Sequence, residues 1–357
     1  MKVKYLPLIV FSILLLGLFW WFGTNSQNQQ IDTQLDRGLP ILVKLLDGNN
    51  DISFRGIASV DDSVVWVSGS AGVFGKTLDG GLHWVFGRVP GADSLELRDI
   101  ELFDAQTAIV MSSGFPTRIY RTQDGGESWQ VVYGNDDERL FLDGMDFCDD
   151  RSGVAYGDPI DGQFVILRTT DGGESWRQDS VSQVAEDGEA GFAASGSGLA
   201  CLGDGQALFV SGGGRSRICF ETDGAWRSVE TTLPSGTAGS GAFSLALHGD
   251  QVVVVGGDYQ QDTAIYSTTR FNRETEEVSA GGGLPYQSSV VSIGDSILVS
   301  IGTPGGFISR DGGVSWTRFT DDGMHTLVAA KSGDVVYAAG AKGRLAKIVF
   351  KKEQLTP

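Results

Sequence analysis

Arg55, Arg98, Asp143, Asp158, Asp258, Tyr259 and His325 hold the side-chain chemistry from which a binding site can be built. Two guanidiniums present planar forks of N–H donors that suit a carboxylate or another oxyanion. Carboxylates set against them form a charge ring, which either grips a ligand or merely solvates a channel, because buried charges must be paired or wet. Other chemistries are poorly supplied. His83, His248 and His325 have no metal-ligand spacing, and no glycine-rich loop is placed to cradle a phosphate. Cys148, Cys201 and Cys219 are an odd set without metal spacing. No metal and no cofactor is expected.

Residues so far apart need a fold to gather them, and a repeated octet supplies one. Thr122-Gln123-Asp124-Gly125-Gly126-Glu127-Ser128-Trp129 recurs, as Ser/Thr-x-Asp-Gly-Gly-x-x-Trp, in the octets that start at Thr77, Thr169 and Ser309. Glu221-Thr222-Asp223-Gly224-Ala225-Trp226 is a shortened copy. Asp and Ser/Thr side chains bond to nearby backbone, and paired glycines permit positive φ, so the octet reads as a hairpin staple. The closing Trp is expected to bury its ring and satisfy its indole N–H locally. Asp79, Trp84, Asp124, Trp129, Asp171, Trp176, Asp223, Trp226, Asp311 and Trp316 are therefore assigned structural roles.

The first four Asp residues are 45, 47 and 52 residues apart, and the last gap, 88, holds two units with one octet eroded. Periods of about 40–50 residues with several strands each mark propeller blades. First strands near Ile57, Ile100, Met145, Leu199, Phe243, Val290 and Leu327 give seven blades. β-Branched runs such as Val252-Val253-Val254-Val255 and Ile297-Leu298-Val299-Ser300 are their second strands. The seventh blade runs out at Phe350 after about three strands, and Ile41–Leu46 is expected to add the fourth and close the ring. The chain is thus read as all-β, a seven-bladed β-propeller. Aligning the first strands places Arg55, Arg98, Asp143, Ser197, Gly241, Ser288 and His325 at equivalent positions near one mouth of the channel. Loops leaving the second strands add Asp158, Asp258 and Tyr259 on that face, away from the octets.

Met1-Lys2-Val3-Lys4 followed by the apolar run Leu6–Phe22 reads as a signal peptide or signal anchor over residues 1–23. Residues 24–39 form a polar tether, 40–350 the propeller and 351–357 a C-terminal tail. Export to the periplasm or another extracytoplasmic space is expected, with tethering to the inner membrane by residues 6–22. The Gly/Ser/Ala-rich stretches Glu186–Gly198 and Pro234–Gly241 read as longer inter-blade loops. Cys201 and Cys219 fall within one blade and either pair after export or remain as buried thiols. A formal charge of −18 argues against nucleic acid or acidic lipid as the main partner. The propeller itself is expected to be a monomer.

These octets, the seven units and the export segment resemble the BNR-repeat (Asp-box) proteins. Units such as Phe54-Arg55-Gly56-Ile57 and Leu97-Arg98-Asp99-Ile100, each followed by an octet, are similar to the photosystem II assembly and stability factor family and its relatives in non-photosynthetic bacteria. That resemblance implies a non-catalytic propeller, a scaffold or assembly factor for a membrane or envelope complex, with a protein client. Such a family would grip its client with arginines, here Arg55, Arg98, Arg118 and Arg121. The alternative is a sialidase-like glycoside hydrolase, since Phe54-Arg55-Gly56-Ile57 is also close to the Phe-Arg-x-Pro of those enzymes. They need three arginines, a Tyr nucleophile beside a Glu, and an acid; Arg55, Arg98, Tyr259 and Asp143 or Asp158 fill part of that set. Ile57 replaces the Pro, and neither a third aligned Arg nor a Glu beside Tyr259 is present. A glycan-binding propeller would use the same funnel with Tyr259 and Tyr286 as stacking platforms.

Overall fold

The computed structural model describes residues 39–46, 51–203, 205–294 and 297–351. The expected export segment, all but residue 39 of the tether, and residues 352–357 lie outside them. The described residues form seven antiparallel sheets arranged as a seven-bladed propeller. The innermost strands, blades 1 to 7, are Phe54–Ser59, Glu96–Leu102, Leu142–Phe147, Leu199–Cys201, Ser240–His248, Ser289–Ile293 and Thr326–Ala329. Ile41–Leu46 pairs antiparallel with Leu345–Val349 and completes blade 7, so the first and last strands of the ring lock each other. The added strand covers the outer edge that Leu345–Val349 would otherwise leave open for foreign pairing.

The second strands are buried on both faces over most of their length, which is why they read as unbroken apolar runs rather than alternating ones. Val252, Val253, Val254 and Val255 are all 0% exposed. The core lies in the seams between blades. Trp66 and Phe74 of blade 1 meet Ile100, Val110 and Tyr120 of blade 2, and Val67 of blade 1 meets Tyr337 and Leu345 of blade 7. Each such side chain stabilises the ring by about 1.5–3 kcal/mol before entropy is counted. The described residues include no helix long and apolar enough to cross a membrane.

The four full octets fold alike. In blade 2 the Gly126 N–H donates to Thr122 Oγ1 at 2.9 Å, and the Ser128 N–H donates to Asp124 Oδ1 at 2.9 Å. The same pair of bonds forms at Thr77 and Asp79, Thr169 and Asp171, and Ser309 and Asp311. Both glycines of every octet have positive φ, between 66° and 93°. Two expectations fail here. The indole N–H groups of Trp84, Trp129, Trp176 and Trp316 are buried without a partner, because each ring packs on apolar neighbours of its blade seam. Asp223 is not a staple at all: Asp223 (φ 50°) and Gly224 (φ 74°) form the two-residue turn of a tight hairpin, leaving no room for the octet's side-chain bonds. Trp226 still packs edge-on against Phe209.

The cysteines also pair differently. Cys148 of blade 3 is bonded to Cys201 of blade 4, Cα–Cα 4.7 Å, and Cys219 is a buried free thiol. Cys201 and Cys219 cannot meet, since Ala207–Val210 runs between their strands. Two strand spacings, about 9.5 Å, exceed the reach of a disulfide.

Candidate functional site: the funnel and its plug

At the mouth opposite the octets, pairing of the innermost strand skips one residue in blades 1, 2, 3 and 5: Arg55, Arg98, Asp143 and Phe243. A bulge frees a side chain from the alternation of the strand and re-aims it. The blade 5 position is therefore Phe243, not the aligned Gly241. Gly241 has φ 148° and faces Gly212 so closely that a side chain on either would strike backbone.

The mouth is a cavity of about 390 Å³. Arg55, Arg98, Phe192, Phe243, Tyr259, Tyr286 and His325 line it, with Asp262 and Thr303 also contributing. Its floor belongs to the stretch Glu186–Gly198, expected from composition to be a longer inter-blade loop. Residues 192–197 instead cross the channel as a plug. Arg55 Nη1 donates to the Ala194 carbonyl at 3.3 Å, and Arg98 Nη1 to the Ala193 carbonyl at 3.1 Å. Ser195 Oγ donates to the Ser288 carbonyl at 2.7 Å, and Thr326 Oγ1 to the Ser195 carbonyl at 3.1 Å. The plug thus ties blades 1, 2, 6 and 7 together across the axis. At its start Glu189 accepts two bonds from the Arg217 guanidinium, and both side chains are nearly inaccessible. Below the plug lies a second cavity of about 370 Å³, lined in part by Asp99, Glu101 and Asp146.

The electrostatics of the funnel follow from crowding. Burial first, and then the Arg98 charge, lower the Arg55 pKa. Arg98 meets Glu96 at 3.7 Å on the rim, and its Nε–H is buried without a partner. Among the described residues, no carboxylate lies within ion-pair distance of Arg55. Burial, and then Arg55, push His325 down to about 4, so its ring is neutral at pH 7. Its Nδ1 lies 3.2 Å from the Phe54 carbonyl, which only accepts, so Nδ1 carries the proton. Phe192 and Phe243 stack at 3.8 Å, while Tyr286 meets Phe243 edge-on at 4.9 Å. The result is an aromatic-walled pocket with two guanidiniums at its floor.

Not every expected residue arrives there. Tyr259, Arg55, Arg98 and His325 line the cavity; Asp143, Asp158 and Asp258 do not. Asp143 is 1% exposed beneath the plug, packed on Gly191, and neither oxygen makes a hydrogen bond of normal geometry. Burial, and then Asp158, push its carboxyl well above the usual range. Asp158 accepts the Gly191 N–H at 2.9 Å. Asp258 accepts the Gln260 N–H at 2.9 Å and caps the short turn Tyr259–Gln261. Arg118 and Arg121 also lie outside the funnel. Arg118 pairs with Asp136 at 2.6 Å, and Arg121 donates to the Gly172 carbonyl of blade 3 at 3.1 Å. Phe192, Phe243 and Asp262 were missed; bulges and inserted loops leave no periodic signal in the sequence.

This geometry can hold an anion against aromatic surface. It does not gather a third arginine, and it spends the Asp258 carboxylate on a turn rather than on the Tyr259 hydroxyl.

Among solved structures, YCF48 bound to D1 peptide superposes with TM-score 0.63 at 16% identity, covering 88% of this chain and 96% of that one. The chain shares its propeller fold. YCF48 from Cyanidioschyzon merolae gives TM-score 0.63 at 14% identity, covering 86% and 98%. The WD40 domain of Neurospora crassa Pan2, a different propeller, gives 0.56 at 13%, covering 85% and 91%. No family model and no curated protein matches the sequence.

Proposed function

We propose that this chain is a non-catalytic binding scaffold that assembles or holds a protein client at a membrane, with the funnel as its grip. The observation that carries this reading is the pair Arg55 and Arg98, fixed by the plug at the bottom of an aromatic pocket with N–H capacity left over. Such a pocket suits an anionic side chain or carboxylate beside apolar neighbours. The structural neighbour YCF48 holds a D1 peptide, and a peptide-like occupant is transferred to this chain as part of the proposal. The octets are read as Asp-boxes of a BNR-type propeller. Residues 1–23 are read as an export signal or retained anchor, with residues 6–22 tethering the propeller to the inner membrane. The Cys148–Cys201 bridge supports an oxidising, extracytoplasmic location.

The test is capture from detergent-solubilised membranes by the intact chain beside an Arg55→Ala/Arg98→Ala variant. A membrane-protein client retained by the native chain should fall at least about tenfold in the variant, which is 1.4 kcal/mol of binding. Urea midpoints measured in parallel separate loss of grip from loss of fold. Equal capture by both chains would overturn the assignment of the grip. Turnover of a fluorogenic sialoside by the purified propeller would hand the funnel to the glycoside hydrolase reading.

A further inference from the structure

The charge of this protein is unevenly placed. No lysine stands between Lys76 and Lys331, although the chain has nine. Residues 93–320 carry 34 acidic and 14 basic side chains, a net −20. Residues 39–92 and 321–352, which are blades 1 and 7 with the closing strand, carry eight acidic and ten basic, a net +2. Ring closure brings these two segments together as one wedge.

The same wedge exposes apolar side chains on its octet face. At the second and sixth octet positions blade 2 has Gln123 and Glu127, blade 3 has Thr170 and Glu174 and blade 6 has Arg310 and Val314, whereas blade 1 has a leucine at both, Leu78 and Leu82. Leu78 is 53% exposed and Leu82 79%; Val85 and Phe86 on the outer strand beside them are 61% and 46% exposed. The octet turn holding these leucines backs onto Leu45 of the closing strand, and Gly80 sits close to Lys347 Nζ. The exposed Lys331 belongs to a turn tied to blade 1, where the Ser332 N–H donates to Asp62 Oδ1 at 3.0 Å. Asp61, Asp62, Asp79 and Asp334 lie among these lysines, and Arg55, Lys342 and Arg344 of the count sit at the funnel end, so the octet face of the wedge is close to neutral while the other blades are strongly acidic. Ile41, at the start of the closing strand, pairs with Val349 on this same face. The apolar run Leu6–Phe22 lies fewer than twenty residues upstream of Ile41.

We propose that the octet face of the blade 7–blade 1 wedge rests on an anionic lipid surface, with Leu78 and Leu82 entering the interface. Anionic headgroups repel the acidic blades and leave this wedge as the flank that can approach, while exposed leucines gain by leaving water. The funnel, on the opposite face, is then held away from the lipid and open to a client. The inference rests on the reading of residues 6–22 as membrane-inserting and is independent of what the funnel grips.

The full chain, reconstituted into vesicles of phosphatidylcholine or of phosphatidylcholine with phosphatidylglycerol, tests it. A polarity-sensitive fluorophore is placed through Leu82→Cys or, at the equivalent octet position of blade 3, Glu174→Cys; the native free thiol Cys219 is buried and leaves labelling selective. The label at 82 should shift to the blue in the phosphatidylglycerol vesicles, and more than in phosphatidylcholine alone, while the label at 174 keeps its aqueous emission. A chain that floats with the vesicles while the label at 82 stays aqueous, or shifts no more than that at 174, overturns the docking alone. A chain that does not float with either vesicle overturns the docking and the membrane-inserting reading together.

Discussion

Replacing Arg217 by Met tests whether the plug is pinned by a buried charge pair. Arg217 is 9% exposed at its side chain and Glu189 0%. Arg217 Nε donates to Glu189 Oε1 at 2.8 Å, its Nη2 bonds Oε2, and other N–H groups reach Ser228 Oγ at 2.9 Å and the Val184 carbonyl at 2.8 Å. Without the guanidinium, Glu189 keeps only the Ser211 hydroxyl and the Glu186 N–H as partners. Stranding one partner of such a pair costs about 3–5 kcal/mol. With an m-value of about 3 kcal/mol/M, the urea midpoint should fall by about 1–2 M. Arg217→Met with Glu189→Leu should recover most of that loss, because the penalty belongs to the unpaired charge and not to the missing attraction. Limited proteolysis should nick the single variant between residues 184 and 198 and spare the double variant. A single variant within about 1 kcal/mol of native, or a double variant as weak as the single, would refute the reasoning.

Two further outcomes are expected. In the lower cavity burial raises Asp99 to about 8 and Asp146 to about 6, and it holds Glu101 well above the carboxylate range. Acids with raised folded pKa values favour the folded state at low pH, and that advantage is lost as pH rises through the folded values. His325, lowered to about 4, acts oppositely but only below its unfolded value of about 6.5. Stability should therefore fall between pH 6.5 and 8, and Asp99→Asn should flatten the slope; a flat native profile by urea titration would count against the buried cluster. Removing the Cys148–Cys201 bridge, whose ends are 53 residues apart, should cost about 4 kcal/mol by loop-closure entropy. Equal urea midpoints for the native and Cys148→Ser/Cys201→Ser chains would sink that estimate.

The octets announced the architecture because each is a self-contained turn. Thr122, Asp124 and two glycines make their bonds within eight residues, so the turn is legible wherever they recur. Recurrence every 45 or so residues then dictated blades, and the missing seventh-blade strand dictated closure by Ile41–Leu46. Arg55 and Arg98 could be brought to one mouth by the same register, since each sits at the same step of its repeat. What departs from the repeat was invisible to it. Phe243 reached the funnel through a one-residue bulge, which shifts alignment without changing composition. The plug was hidden because Gly, Ala and Ser serve an exposed loop and a close-packed channel segment equally well, and its partners Ser288 and Thr326 lie more than ninety residues away. Cys148 found Cys201 rather than Cys219 because a strand stands between the latter two. Asp143, aligned with the arginines, ended as a buried acid under the plug, its pKa pushed up, because its environment is made by another blade's insertion. The sequence by itself determined the turns, the blade count and the closure, since those depend on contiguous residues. Only the tertiary structure decided which side chains meet around the axis, because burial and partnership there are set across the ring.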